Sequence, residues 1–123
     1  MTNSFTPEIY LKQGCPFCFK LRLFLLEAGM IDIVHIAEYA PGTAAEKQKK
    51  EELSHHFDSG TFPVAQTAPG AYLKDSDAII AYFGAQSGVN PEDMPTLKAY
   101  IAGPFASLIQ LYKENMELKS KSV

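Results

Sequence analysis

Two cysteines, Cys15 and Cys18, stand three positions apart in the stretch Gly14-Cys15-Pro16-Phe17-Cys18. That spacing lets two thiols meet in one disulfide; it could also supply half of a zinc site. A closed zinc site needs four ligands, and His35, His55 and His56 lack the ligand spacing to complete one. Thiol redox chemistry is the better reading, and no metal is expected. The thiolate is the reactive form of cysteine, so the question is what would favour it.

The flanking residues supply an answer. Glu8-Ile9-Tyr10-Leu11-Lys12 alternates like a strand, and the apolar run from Phe19 to Ala28 reads as a helix stopped by Gly29. Cys15 then lies at a strand-to-helix junction. Pro16 suits the first helical position, where a missing N–H is harmless. Unpaired N–H groups and the helix dipole at that end favour an anion over a neutral thiol. Tyr10 fits a core or sheet-face position.

The rest of the chain builds a frame for this junction. Ile31 to Ile36 is rich in β-branched residues and reads as a second strand, parallel to the first through a βαβ unit. Pro41-Gly42 makes a turn. Thr43-Ala44-Ala45-Glu46 is a capping box opening a charged helix to about Phe57, anchored by Leu53 and Phe57. Its charge run reads as a solvated face, and His55-His56 as surface. After Thr61-Phe62-Pro63, a strand over Val64 to Thr67 and another over Ala71 to Leu73 form a hairpin around Pro69-Gly70. Asp75-Ser76-Asp77 gives polar capping residues to a helix that Gly88 ends. Asn90-Pro91-Glu92-Asp93 starts another helix, which Gly103-Pro104 should kink or break. The stripe Leu97, Tyr100, Ile101, Phe105, Leu108, Ile109 and Tyr112 should pack on the first and last helices, leaving the Cys15 face open, or on a second copy. Lys119 to Val123 reads as a frayed tail.

At 123 residues and 46% hydrophobic content, the chain suffices for one packed core. A net charge of −3 argues against nucleic acid or an anionic membrane as partner. No apolar run approaches a membrane span, and the N-terminus has no signal-peptide pattern, so a cytoplasmic location is expected. Two cysteines in one motif agree with the transient, catalytic disulfides of that compartment.

The order β-α-β-α-β-β-α, with Cys15-Pro16-Phe17-Cys18 and Thr61-Phe62-Pro63, resembles the glutaredoxins of the thioredoxin-like superfamily. The resemblance implies an α/β fold with a four-stranded mixed sheet over residues 1–88, and a helical extension over 89–123 packed on it. It implies glutathione as co-substrate. Lys12 would meet the glycine carboxylate, Phe62 would offer its backbone to the cysteinyl part beside a cis Pro63, and Ser76 and Asp77 would hold the γ-glutamyl end. Phe17, inside the motif, would line the same site. The sequence departs from glutaredoxins where Leu73-Lys74 replaces paired glycines and where Ser59-Gly60 replaces an amide or basic residue. Asp75-Ser76-Asp77-Ala78-Ile79 is closer to the N-terminal domain of glutathione transferases. The activity implied is thiol–disulfide exchange through Cys15 and Cys18 on glutathionylated or disulfide-bonded proteins, by a monomer or weak homodimer. Rival readings are transferase-like or dehydroascorbate-reductase-like chemistry, glutathione binding without turnover, and an iron–sulfur carrier, which the Cys-Pro-Phe-Cys motif disfavours.

Overall fold

A computed structural model describes residues 5–57 and 60–121. Four strands, β1 (Glu8–Lys12), β2 (His35–Tyr39), β3 (Val64–Ala68) and β4 (Ala71–Lys74), form one mixed sheet in the order β2-β1-β3-β4. β1 pairs in parallel with β2 and antiparallel with β3, and β3 with β4 forms the hairpin. Helices α1 (Pro16–Glu27), α2 (Ala44–Leu53) and α3 (Ser76–Ser87) complete the β-α-β-α-β-β-α order of a thioredoxin-like fold. The larger core lies between β1, β3, α1 and α3, where Ile9, Leu11, Leu21, Phe24, Leu25, Ala65 and Ile79 are fully enclosed.

Helix α1 starts three residues before the apolar run, at Pro16, because Cys15 serves as its N-cap and proline fits the first position. It ends in a Schellman motif. The Met30 and Gly29 N–H groups donate to the carbonyls of Leu25 and Leu26, and Gly29 adopts φ +75°. The second strand lies further on than its β-branched residues suggest, at His35–Tyr39 instead of Ile31–Ile36. Met30 and Val34 plug the core from a turn, closed by an Ile33 N–H bond to the Met30 carbonyl. Sheet register then begins with His35 opposite Glu8.

Helix α2 stops at Leu53, four residues short of Phe57. Thr43 Oγ1 accepts from the Glu46 N–H, and the Glu46 carboxylate accepts from the Gly42 N–H, a capping box displaced by one residue. Asp75 occupies the N-cap position of α3, yet its side chain makes no capping bond. Its φ of 74° is the one positive value among the described non-glycine residues.

After α3, Pro91–Asp93 makes a 3₁₀ turn, capped by the Asn90 side chain, which accepts from the Glu92 N–H. α4 (Pro95–Tyr100) runs through a π-helical turn, Ile101–Phe105, into α5 (Ala106–Lys121). Gly103-Pro104 therefore does not break the helix. The wider π turn takes up a proline whose missing N–H would interrupt the regular bonding pattern. The apolar stripe divides there. Met94 and Leu97 are buried against α1, Tyr100 and Phe105 are half-buried, and α5 buries no residue. Lys119 to Lys121 are helical rather than frayed; Ser122 and Val123 lie outside the described residues, as does Ser59.

Candidate functional site

Cys15 closes the loop between β1 and α1, half-buried, while Cys18, one turn into α1, is 1% exposed. Both are free thiols. The Cys18 N–H donates to Cys15 Sγ at 3.4 Å, and the Lys12 N–H donates to Cys18 Sγ at 3.3 Å. The Cys18 thiol donates in turn to Cys15. That bond, with the Cys18 and Phe17 N–H groups and the Lys12 charge, outweighs burial and lowers the Cys15 pKa to about 6. The same bond to Cys15, together with burial, pushes the Cys18 thiol up. One cysteine is thus a thiolate at neutral pH, and the other is a buried proton donor to it.

Around Cys15 the surface is grooved. A groove of about 560 Å³ is lined by Lys12, Cys15, Lys50, Gly60 and Phe62. A recess formed by Phe17, Phe62, Pro63, Asp75 and Ser76 continues it, and another bounded by Phe17, Ser76 and Asp77 extends that one. The Phe62–Pro63 peptide is cis. Gly60 is required for the groove wall: a Cβ there would stand 2.1 Å from the Lys50 carbonyl oxygen. Seven of the eight residues singled out from the sequence, Lys12, Cys15, Phe17, Phe62, Pro63, Ser76 and Asp77, line the trough of these adjoining depressions, and Cys18 is buried behind Cys15.

Each end of the trough carries charges that sequence reading passed over. Lys12 Nζ lies 3.5 Å and Lys50 Nζ 3.9 Å from the Glu46 carboxylate, which is 6% exposed. The Gly42 N–H, working against desolvation and aided by both lysines, holds the Glu46 carboxyl below its usual range. Two cations on one anion leave a surplus of one positive charge. At the far end, Lys20 Nζ reaches Asp77 Oδ1 at 2.7 Å. Glu46 and Lys50 carried a sequence signal, their i,i+4 spacing in the charged helix. Lys20 carried none, because it sits in an apolar helix run.

The C-terminal segment also reaches the thiol, so the Cys15 face is not left open on that side. The Tyr100 hydroxyl donates to the Pro16 carbonyl at 2.8 Å, and burial and the Cys15 charge raise the Tyr100 pKa. Tyr100, Phe19, Arg22, Glu38 and Leu108 line a second recess against Cys15, of about 270 Å³. Phe105 stacks edge-on against Phe17 with centroids 5.1 Å apart. Among the described residues, no three His, Cys, Asp or Glu side chains cluster as metal ligands, and no helix is long and apolar enough to cross a membrane.

Residues 14–86 match the family model for the glutathione S-transferase N-terminal domain. Among solved structures, the chain resembles a glutathione S-transferase from the Antarctic clam Laternula elliptica at 24% identity and TM-score 0.52, over 68% of this chain and 36% of that one. It also resembles a possible glutathione S-transferase from Rhodopseudomonas palustris, at 23% identity and TM-score 0.51, over 66% of this chain and 40% of that one. Glutathione transferase E6 from Drosophila melanogaster is similar at 22% identity and TM-score 0.50, over 66% and 34%. The chain thus spans well under half the length of these structures, and at such identities they speak for the fold alone. No curated protein matches it. With a thioredoxin-like sheet, a cis proline facing a Cys-x-x-Cys helix, and a family match over most of that fold, the chain belongs to the glutathione S-transferase N-terminal domain family.

Proposed function

We propose that this protein is a glutathione-dependent thiol–disulfide oxidoreductase. The observation that carries the reading is the trough that joins a positively charged end, a thiolate and a helix N-terminus in line. Glutathione has a glycine carboxylate at one end, a sulfur in the middle and a zwitterionic γ-glutamyl group at the other. The surplus positive charge of Lys12, Lys50 and Glu46 suits the glycine carboxylate. Phe62 and the cis Pro63 flank the sulfur position beside Cys15, and Ser76 and Asp77 receive the γ-glutamyl end.

In the first step the Cys15 thiolate attacks the glutathione sulfur of a mixed disulfide. A new S–S bond forms to Cys15, and the substrate sulfur departs with the electron pair and takes a proton from water. In the second step a glutathione thiolate attacks the glutathione sulfur held on Cys15. Oxidised glutathione leaves, and Cys15 is again a thiolate. Leaving is easier from a sulfur of lower pKa, which is where the Cys15 environment contributes most. Cys18 is too enclosed to meet an external disulfide. It can attack only the Cys15 sulfur, releasing glutathione and leaving a Cys15–Cys18 disulfide.

The test is a coupled assay with glutathione, glutathione reductase and a small glutathione mixed disulfide. Turnover should vanish in Cys15→Ser and persist in Cys18→Ser. Full activity in Cys15→Ser would refute the reading. A second reading, thiol addition to small electrophiles, draws on the recess of Tyr100, Phe19 and Leu108 beside Cys15. Conjugation of glutathione to an apolar electrophile, lost in Cys15→Ser, would favour it.

A further inference from the structure

Lys20 is an apolar-helix lysine with almost no access to water. It is 4% exposed, on the face of α1 one turn beyond Phe17. Buried charges are found paired, and Lys20 has one carboxylate partner, Asp77, at 2.7 Å. Two aromatic rings flank it. Its ammonium lies 4.6 Å from the Phe105 ring centroid and 5.7 Å from that of Phe17, both within cation–π range. Asp77 is the opposite: its side chain is 87% exposed, on the wall of the recess shared with Phe17 and Ser76. A fixed, dry cation therefore stands behind a wet carboxylate.

The consequence is electrostatic. Asp77 alone would make its end of the trough negative. Asp75 lines the same recess, so with Lys20 behind Asp77 that end carries one negative charge instead of two, and it still presents a carboxylate oxygen and the α3 N-terminus to a ligand. Such an end tolerates a carboxylate beside the ligand's ammonium better than a doubly negative end would.

We propose that Lys20 is a specificity-determining residue that cancels the Asp77 charge, so that this end takes the zwitterionic amino-acid end of the ligand in preference to an ammonium alone. Phe105, which lies outside the matched residues 14–86, places its ring 4.6 Å from the Lys20 ammonium. This rests on the glutathione reading above. Lys20 acts through Asp77 and touches no reacting atom, so it is a positioning residue in the chemical step.

The probes are S-methylglutathione and its analogue with 4-aminobutyryl in place of γ-glutamyl, which keeps the ammonium and lacks the α-carboxylate. Affinities of both for the full chain give a preference ratio. Lys20→Met leaves Asp77 unbalanced and should move the ratio roughly three- to tenfold toward the analogue, the effect of one charge at about 6 Å in a partly wet site. Asp77→Asn, which leaves the cation unbalanced, should move it the other way. The double variant restores the wild-type net charge and should return near the wild-type ratio. Phe105→Leu, which keeps bulk but removes the ring face, should shift the ratio in the direction of Lys20→Met by a smaller amount. Replacing a buried ion by an apolar side chain of similar volume is often neutral or stabilising, so Lys20→Met should fold. Should circular dichroism show otherwise, Lys20→Gln, which also removes the charge but keeps a polar group for Asp77, is read in its place. An unchanged ratio in Lys20→Met, or in Asp77→Asn, overturns the proposal. Failure of the wild-type chain to bind S-methylglutathione overturns the glutathione reading itself, and this inference with it.

Discussion

Replacing Cys18 by alanine should raise the pKa of Cys15, because the Cys18 thiol is the largest of the groups that hold it near 6. At pH 7 a thiol with that pKa is about 90% thiolate, against about 3% for a free cysteine near 8.5. That thirtyfold gain in population is not a thirtyfold gain in rate. Intrinsic nucleophilicity falls with pKa with a Brønsted coefficient of about 0.4–0.5, which returns roughly tenfold over the same interval. The net advantage in attack at neutral pH is only about two- to threefold; the larger benefit falls to Cys15 as a leaving group. For each unit by which Cys18→Ala raises the midpoint, alkylation by iodoacetamide should slow at pH 5 and quicken about threefold above pH 8. The two pH–rate curves should therefore cross between about pH 6 and 7. The Cys18 and Phe17 N–H groups and Lys12 remain, so the variant's midpoint should stay below that of free cysteine. Cys18→Ser keeps a hydroxyl donor and should fall between the two. Identical midpoints in wild type and Cys18→Ala, or curves that run parallel without crossing, would refute the hydrogen-bond account of the thiolate.

Three further outcomes are expected. Leu97 is 1% exposed against α1, so Leu97→Ala should lower unfolding free energy by roughly 2–5 kcal/mol in urea titration. The Glu27 carboxylate works against desolvation but accepts from the Thr96 and Leu97 N–H groups at 2.9 and 2.8 Å, and its pKa is lowered. Its folded pKa lies below the unfolded one, so its contribution is present above the unfolded pKa and is lost as pH falls through the folded value. Amide exchange at Thr96 and Leu97 should accelerate in that acid range for wild type, and in Glu27→Ala it should already be fast at neutral pH. Asp75 holds φ 74° without a capping bond, so Asp75→Gly should stabilise the fold by about 1 kcal/mol, read as a rise in melting temperature.

The parts of the fold and the candidate site that were legible in sequence are those set by neighbours along the chain. The Cys15 N-cap, Pro16 at the first helical position, the Gly29 stop and the Pro69-Gly70 hairpin are decided within a turn or two. Strand β2 was misplaced because Met30 and Val34, apolar like strand residues, are used to plug a core. Gly103-Pro104 reads as a kink or a break because a π turn depends on how the flanking helices are held, and α4 is held by Glu27 far away in sequence. Lys20 carries no sign of its burial in sequence, since Asp77 and Phe105, which flank its ammonium, stand 57 and 85 positions on. In the sequence Glu46 reads as a capping residue and Lys50 as part of a solvated face. Only the packing of α2 beside β1 brings Lys12 to the same carboxylate.

The bonds from Glu27 to Thr96 and Leu97, and from Tyr100 to Pro16, fasten both ends of α1 across 69, 70 and 84 positions of chain. They are late contacts in the order of synthesis. At about 5–20 residues per second, the stretch between Glu27 and Phe105 takes roughly 4–16 s to emerge from a ribosome. For that interval the helix bearing both thiols exists without either fastening, and Lys20 has no Phe105 to cover it. The nascent chain thus offers its cysteines to oxidants in a state unlike the finished one. Closing such long loops is also the slow part of folding, since their entropy must be surrendered before the contacts reward it.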